Sequence, residues 1–346
     1  MTILFYLLVT LLSFILIKVI IHYSPKLGLI DIPNERSSHA NSVPRGAGIG
    51  FILAMFIGVV LFRWDLVFGH WYIFVAIFMV FAIGVLDDHK DAPPKAKFIA
   101  IFVATALLWW YGFGIESLGE WFGYELTLGW FALPFGMVAL AGFTNAVNLI
   151  DGLDGLSGSI SMVIIGFFGY FAYVNNNDIM WILASFTLAS LVGFMLLNWH
   201  PAKIFMGDSG SLALGFIISI LAVFSIEYIH PVSVLYIAAI PILDTLIVMV
   251  RRIRRGRSPF SPDKTHLHHI LAHFFLNDVK KTVWFLILLQ ISFSGIGVIV
   301  HSTIKSSPNE FLPFFALGGF VMLFLIFYMM FTGMHRRQLL LDGSSY

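Results

Sequence analysis

Long runs of apolar residues alternate with short polar stretches along the whole chain. A helix needs about 20 mostly apolar residues to cross the hydrocarbon core of a bilayer, and most of these runs approach that length. The pattern therefore predicts an all-α polytopic membrane protein, with a single domain over residues 1–346. About eleven spanning helices are predicted, at residues 3–21, 47–62, 71–86, 98–113, 129–143, 159–174, 179–197, 211–226, 232–250, 282–300 and 311–331.

The composition agrees with this pattern. Hydrophobic residues make up 59% of the chain and charged residues 11%, with a mean hydropathy of +0.91, whereas about 25% of residues are charged in soluble domains. Cysteine is absent, which excludes disulfides and thiolate metal sites, so any metal must bind oxygen or imidazole. The first apolar run lacks a basic segment and a cleavage site, and it is predicted to be a retained helix.

The Lys and Arg residues orient the predicted helices. All but three of the 20 lie in alternate connections and in the C-terminal tail; the exceptions are Lys18, Arg63 and Lys305. Positive charge favours the cytoplasmic side, so we expect the N-terminus outside and the C-terminus in the cytoplasm. The predicted cytoplasmic connections are residues 22–46, 87–97, 144–158, 198–210 and 251–281.

The segment GVLDDHKDAPPKAKF places adjacent carboxylates, Asp87 and Asp88, at the cytoplasmic end of the third predicted helix. A divalent cation relieves the repulsion between neighbouring carboxylates, and Mg²⁺ binds carboxylates together with substrate phosphates. Lys95 and Lys97 follow and suit a phosphate. The alternative is a solvated helix end with cytoplasmic lysines.

The segment NAVNLIDGLDGLSGS carries Asn148, Asp151 and Asp154 at a spacing of three, which would place them on one side of a helical turn. A turn with one capping Asp is the alternative, but the two carboxylates and the glycines exceed what a cap needs.

The segment NWHPAKIFMGDSGS places Asp208 at the start of an apolar helix, where free N–H groups and the helix dipole favour phosphate oxygens. The same letters also form a good N-cap, which is the alternative interpretation. Phe205 is a candidate for stacking on a base, although a phenylalanine at such a position more often packs in the core.

His266, His268 and His269 cluster in the segment DKTHLHHILAHF. The spacing of His269 and His273 is that of a zinc-protease motif, but Ile270 stands where the glutamate belongs, so a zinc hydrolase is not predicted. Imidazoles that hydrogen-bond phosphate at the mouth of a site fit better, with a solvated polar loop as the alternative.

The segment RRIRRGR, residues 251–257, is interpreted as a cytoplasmic anchor. Asp244, inside the predicted helix before it, is expected to face the bundle interior or a wet cavity.

Three acidic clusters, a histidine cluster and scattered bases on one membrane face would suit a diphosphate, Mg²⁺ and phosphoryl transfer. On these motifs the chain resembles the polyprenyl-phosphate N-acetylhexosamine-1-phosphate transferases, and most closely the WecA/TagO branch that initiates O-antigen and related glycans. The segments that carry the resemblance are DIPNERSSHANSVPRGAGI (31–49), GVLDDHKDAPPKAKF (84–98), NAVNLIDGLDGLSG (145–158), NWHPAKIFMGDSGS (198–211), PILDT (241–245) and DKTHLHHIL (263–271).

The resemblance implies a bacterial inner-membrane enzyme that transfers N-acetylhexosamine-1-phosphate from a UDP-sugar, by default UDP-GlcNAc, to undecaprenyl phosphate and releases UMP. It implies Mg²⁺ or Mn²⁺ as cofactor, the lipid bilayer as surroundings, no nucleic acid as partner, and a homodimer.

The resemblance also implies roles for particular residues. The implied catalytic residues are Asp87, Asp88, Asp208 and His268, and the implied metal ligands are Asp208, Asp151 and Asp88. The implied substrate-binding residues are Lys95, Lys97, Asn148, Asp151, Asp154, Asn198, Phe205, His266 and His269. Asp87 is either a general base or a positioning group, because a phosphate monoester with a second pKa near about 6 barely needs deprotonation.

Other classes of protein remain open at this stage. A membrane prenyltransferase also uses Mg²⁺ and acidic motifs, but it releases pyrophosphate, and its second motif is helical rather than glycine-rich. A transporter of lipid-linked or nucleotide sugars would want polar groups near the middle of the bilayer. An intramembrane aspartyl protease would leave the His and Lys motifs unexplained.

Overall fold

The computed structural model describes residues 3–31, 42–258, 265–307 and 309–341, and most of them are helical. The helices are α1 (Ile3–Leu27), α2 (Ala47–Phe62), α3 (Trp64–Gly69), α4 (Trp71–Lys90), α5 (Pro94–Trp110), α6 (Ala132–Leu149), α7 (Leu156–Val174), α8 (Asp178–Asn198), α9 (Asp208–Ser225), α10 (Pro231–Ile237), α11 (Ala239–Arg254), α12 (Leu267–Phe274), α13 (Val279–Ser306) and α14 (Leu312–Leu341). Two small antiparallel hairpins pair β1 (Ile30–Asp31) with β2 (Val43–Pro44) and β3 (Ser117–Trp121) with β4 (Tyr124–Thr127).

The fold confirms an all-α protein with many membrane spans. Within the described ranges, eight helices are long and apolar enough to cross a bilayer, and α10 with α11 makes a ninth if that bent pair counts as one span. Helix α2 has 16 residues and α5 has 17, so both are shorter than a typical span. The count of eleven and the outside N-terminus stay predictions.

Helix α9 is the centre of the bundle and is surrounded by α2, α4, α6 and α7. Nearly all of its residues are buried. Close approach of α4 depends on Gly84, where a Cβ atom would lie 2.5 Å from the backbone oxygen of Asp208. The C-terminal part of α4 is therefore packed directly against the first residue of α9.

Several helices run further than the apolar pattern predicts. Helix α4 continues to Lys90, so Asp87 and Asp88 lie in its last turns rather than in a connection. Helix α6 continues to Leu149, so Asn148 is helical, whereas the two following aspartates lie beyond the helix end and share no helix face with it. Both helices therefore continue past the end of the apolar run into polar residues.

The predicted helix at 232–250 is broken, with α10 and α11 meeting at an angle of 86°. Gln290 of α13 fills the break: its amide nitrogen donates to the Ile237 carbonyl at 2.7 Å and its oxygen accepts the Ile240 N–H at 3.1 Å. A buried break needs such a partner because unpaired backbone groups are costly in lipid.

The basic segment after this break differs from its interpretation as a surface anchor. Arg251 and Arg252 are 2% and 5% exposed, so these two side chains lie inside the protein. The NERSSH segment, residues 34–39, lies outside the described residues.

Candidate active site

The predicted polar motifs meet at one end of the bundle. The last turns of α4 and α6 and the first turns of α5 and α9 lie together there, as their side-chain contacts show. The β3–β4 hairpin is at the opposite end of these helices, between the ends of α5 and α6.

Lys97 lies between two carboxylates. Its Nζ atom is 2.8 Å from Asp87 Oδ2 and also contacts Asp208 Oδ2. The three side chains come from α4, α5 and α9 and are each partly exposed. The ammonium group offsets the charge of two neighbouring carboxylates, which would otherwise repel each other. This Asp87–Lys97–Asp208 cluster joins the three helices by contacts between charged groups.

Asp88 has a different environment from its neighbour. It is 2% exposed, and its two oxygens accept the backbone N–H groups of Asp208 at 2.7 Å and Ser209 at 3.1 Å. It thereby satisfies free N–H groups at the start of α9 as a cap from another helix. Gly207 leaves room for it, because a Cβ there would lie 2.6 Å from Asp88 Oδ2. This geometry favours a positioning role for Asp88.

The turn after α6 brings further carboxylate charge to this end. The pKa of Asp151 is raised to about 7, mostly by burial and then by the nearby carboxylates of Asp208, Asp88 and Asp154, in that order of influence. Asp151 therefore shares an electrostatic environment with the other acids. Asn148, one turn earlier, accepts the Ser211 hydroxyl at 2.6 Å, which joins α6 to α9.

Two residues that are predicted to bind substrate also hold loops in place by hydrogen bonds. Asp154 Oδ2 is 2.7 Å from His200 Nδ1 and accepts the Ala202 N–H at 3.0 Å. Asn198 donates to the Ile204 carbonyl at 2.8 Å and accepts the Gly155 N–H at 2.9 Å.

Because the amide of Asn198 is only 5% exposed and both its ends are engaged, it holds the connection before α9 against the turn after α6. Its contact with substrate stays a prediction.

The segment before α9 is held by the segment before α2. The Phe205 N–H donates to the Pro44 carbonyl at 2.8 Å, and the Phe205 carbonyl accepts the Ala47 N–H at 3.1 Å. Arg45, next in the chain, has a buried Nε atom without a hydrogen-bond partner and interacts electrostatically with Asp88. Phe205 is half-buried, and Lys95 is exposed.

The histidine cluster is mostly buried rather than at a mouth. His266 and His268 are 4% and 2% exposed and stack with ring centroids 5.8 Å apart, and His269 lies 4.2 Å from His268. Both ring nitrogens of His268 lack hydrogen-bond partners, and its Nε2 faces the space that a side chain on Gly152 would fill. Burial lowers the pKa of His268 to about 3, so its imidazole is neutral at physiological pH.

The donor chemistry fits a small divalent cation. Mg²⁺ prefers oxygen ligands and is often held by one or two carboxylates together with water and substrate phosphates. Asp87 and Asp208 direct their oxygens at one point, and Asp151 adds negative charge beside them. In the part of the chain that the structure describes, no three Asp, Glu or His side chains form a ready-made metal cage. The arrangement suits a cation that binds together with a phosphate-bearing ligand.

An apolar groove of about 370 Å³ lies between α6, α9, α10 and α11. Its lining includes Phe135 and Phe143 of α6, Ala222 of α9, and Leu246 of α11. It extends from Ile115 and Leu118, near the β3–β4 hairpin, along α6 as far as Ala146. Such a groove matches a long hydrocarbon chain better than a polar solute.

The sequence interpretation missed several residues that shape this end. His200, Gly207 and Arg45 were quoted in motifs but received no role, and Asp244 was expected only to face the bundle interior or a wet cavity. Asp244 accepts hydrogen bonds from the segment that begins α12, His266 among the donors. Capping across helices leaves no spacing signal in one sequence, so these roles emerge only from the contacts.

Comparison with known proteins gives consistent matches. The family model described as "Glycosyl transferase family 4" matches residues 70–226, which include the three acidic motifs but not the histidine cluster. The chain is 32% identical over 286 residues to a probable undecaprenyl-phosphate N-acetylglucosaminyl 1-phosphate transferase of Bacillus subtilis, covering 80% of this chain and 78% of that protein.

Two undecaprenyl-phosphate alpha-N-acetylglucosaminyl 1-phosphate transferases are similar over comparable lengths. The protein of Haemophilus influenzae is 31% identical over 319 residues, covering 87% of this chain and 86% of that protein. The protein of Escherichia coli K12 is 30% identical over 256 residues, covering 71% and 70%.

Proposed function

Because the chain belongs to glycosyl transferase family 4, we propose that it transfers N-acetylhexosamine-1-phosphate from a UDP-sugar to undecaprenyl phosphate. An oxygen of the lipid phosphate attacks the phosphorus that bears the sugar. The bond from this phosphorus to the bridging oxygen of UMP breaks, and UMP leaves with that oxygen. The product is undecaprenyl-diphospho-sugar.

The observation that carries this proposal is the Asp87–Lys97–Asp208 cluster. An apolar groove that follows α6 as far as Ala146 accompanies it. Phosphoryl transfer needs little covalent work from a protein and depends mainly on position and on neutralised charge. The ammonium group of Lys97, which contacts the two carboxylates, can pair with the lipid phosphate in their place. The two carboxylates are then left to hold a cation.

The cation would be held by Asp208 and Asp87, with Asp151 beside them. When bound, Mg²⁺ or Mn²⁺ supplies charge that offsets the negative charge of the diphosphate. Asp88 anchors the N-terminus of α9 and so fixes where the Asp208 carboxylate lies. We assign Asp88 to positioning rather than to ligation, because two backbone N–H groups already occupy its oxygens.

The lipid acceptor would enter from the bilayer. Its isoprenoid chain matches the apolar groove between α6 and α11, and its phosphate would meet Lys97 at the polar end. Lys95 is exposed and lies two residues before Lys97 in the first turn of α5, so it is a second basic group near the entry.

The nucleotide would lie on the far side of the acidic cluster. His266, His268, His269, Phe205 and Asn148 are the proposed contacts. We assign Asp154 and Asn198 mainly to holding the two loops that shape this pocket, since both side chains are bonded to neighbouring backbone.

The finer parts of the proposal rest on the family. We propose UDP-N-acetylglucosamine as the default donor, the bacterial inner membrane as the location, and the initiation of an O-antigen or related glycan as the role. A homodimer belongs to the same proposal.

The test uses purified protein in detergent with undecaprenyl phosphate and a panel of UDP-N-acetylhexosamines. Release of UMP, together with a lipid-linked sugar, supports the proposal. Because no gradient exists in detergent, product formation also excludes a pure transporter. Absence of both UMP and a lipid-linked sugar with every donor contradicts it.

A further inference from the structure

One face of α11 fastens the segment that begins the histidine cluster. Asp244 is 1% exposed; its Oδ2 lies 2.8 Å from His266 Nδ1, and its Oδ1 accepts the Leu267 N–H at 2.7 Å. Arg251, two turns further along the same helix, donates from Nη1 to the Thr265 carbonyl at 2.6 Å. Both ends of this short segment are therefore held from α11.

The bonds around Asp244 have a definite direction. An ionised carboxylate only accepts hydrogen bonds, and the backbone N–H of Leu267 only donates. His266 must therefore carry a proton on Nδ1, and Nε2 is the ring nitrogen that Asp244 leaves available. The same contact fixes the ring plane, which stacks on His268 at an interplanar angle of 16°.

We propose that Asp244 is a positioning residue for the transfer reaction, which keeps His266 protonated on Nδ1 and holds its ring so that Nε2 can meet the diphosphate or nucleotide. The inference rests on the proposed function only for the identity of the ligand. Nothing in the apolar pattern of α11 requires a carboxylate inside the bundle, where an ionisable group is expensive.

A purely structural clamp is the competing explanation, and the chain offers a substitution that separates the two. Asp244→Asn keeps the size of the side chain, but its amide has one acceptor group and one donor group. The two groups that face it, His266 Nδ1–H and the Leu267 N–H, are both donors. The Asn oxygen can keep the Leu267 bond only if its amide faces His266 Nδ1. The proton of His266 must then move to Nε2, or the ring must turn.

The first arm of the experiment measures turnover as UMP release, with substrate saturation curves, for Asp244→Asn, His266→Ala and the double variant. We expect each single variant to lower kcat by about 10–100-fold, the range for partners that orient an active group. The double variant should be no slower than His266→Ala, because Asp244 acts through His266. The matched control is Asp178→Asn at the opposite end of the bundle, where Asp178 pairs with Arg63 at 3.6 Å. It should leave kcat unchanged.

The second arm needs no turnover. NMR spectra of protein labelled with ¹⁵N-histidine are compared with those of unlabelled protein and of labelled His266→Ala. The signals that His266→Ala lacks belong to His266. We expect a protonated Nδ1 in the wild type, and in Asp244→Asn a proton on Nε2 or a changed ring environment.

These arms distinguish the failure of the inference from the failure of the proposed function. A wild type that releases no UMP contradicts the proposed function, and the ¹⁵N signals then still decide the role of Asp244. A wild-type His266 with a bare Nδ1 overturns the inference. Normal turnover in Asp244→Asn, or losses in the double variant that multiply those of the single variants, overturns it as well.

Discussion

Asp88 accepts the backbone N–H of Asp208 at 2.7 Å, although 120 residues separate them in the chain. Asp87 contacts Lys97 directly. Asp88 instead holds Asp208, which contacts the same lysine. Two neighbouring carboxylates thus do different work: one lies in the polar cluster and the other fixes its geometry. This division makes the cluster sensitive to changes that do not touch it directly.

Asp88→Asn is expected to lower both stability and turnover. An amide offers one acceptor oxygen to two N–H donors, and loss of a cap costs about 0.5–2 kcal/mol. A shift of the α9 start by about 1 Å can reduce turnover by about 100-fold. The measurements are the thermal midpoint and UMP release in detergent.

The matched control for this variant is Asp278→Ala, which removes a cap. Asp278 caps α13 by accepting the Lys281 N–H at 3.0 Å, away from the acidic cluster. We expect it to lower the midpoint slightly and to leave turnover unchanged. Equal turnover losses in the two variants would show that capping alone, and not the position of Asp208, explains the effect.

Asp87→Asn is expected to lose the same factor of activity at low and at high pH. The lipid phosphate, with a second pKa near about 6, is largely dianionic at neutral pH and needs no base. The contact of Asp87 with Lys97 at 2.8 Å also suits a positioning group. The measurement is the ratio of variant to wild-type kcat between about pH 6 and pH 9. A loss that shrinks strongly at high pH would instead identify Asp87 as the general base.

Gly152→Ala is expected to displace His268. The added Cβ would occupy the place of His268 Nε2, and a buried overlap of this kind costs about 1–3 kcal/mol. We expect a lower thermal midpoint and reduced turnover. In the double variant Gly152→Ala with His268→Ala, the midpoint should recover because the overlap is gone, whereas turnover should not. No recovery of the midpoint would mean that the glycine is needed for the turn itself.

Asp151→Asn is expected to stabilise the protein at alkaline pH in the absence of divalent cations. The pKa of Asp151 is raised from 3.8 to about 7 on folding, so the folded state binds the proton more tightly. The contribution of Asp151 to the free energy of unfolding is at its largest below about pH 3.8, and it is lost as the pH rises towards about 7. The variant should therefore melt at a higher temperature than the wild type at pH 8 and at nearly the same temperature at pH 4. A variant that melts lower at pH 8 would contradict the raised pKa.

The fold class could be predicted because lipid imposes one rule on the whole chain: spanning segments are long and apolar. Helix ends were less predictable. Asp87 and Asp88 look like loop residues by polarity, yet they are helical because α4 continues to Lys90. The break before α11 was invisible as well, since its partner Gln290 comes from a helix about 50 residues later.

The candidate site was predictable as a set of residue types and less so as a geometry. Carboxylates, lysines and histidines at helix ends pointed to phosphate chemistry because apolar surroundings make such groups expensive. The contact of Lys97 with two acids, and the burial of His268, depend on how helices far apart in sequence meet. No spacing within one motif carries that information.

The most direct test of the central claim, that the Asp87–Lys97–Asp208 cluster is the transfer centre, is UMP release from UDP-N-acetylglucosamine and undecaprenyl phosphate by the wild type and by Asp208→Asn, with and without Mg²⁺. We predict release by the wild type only when the lipid and Mg²⁺ are both present, and a loss of about 100–1,000-fold in Asp208→Asn with an unchanged thermal midpoint. Turnover of Asp208→Asn at the wild-type rate would contradict the account.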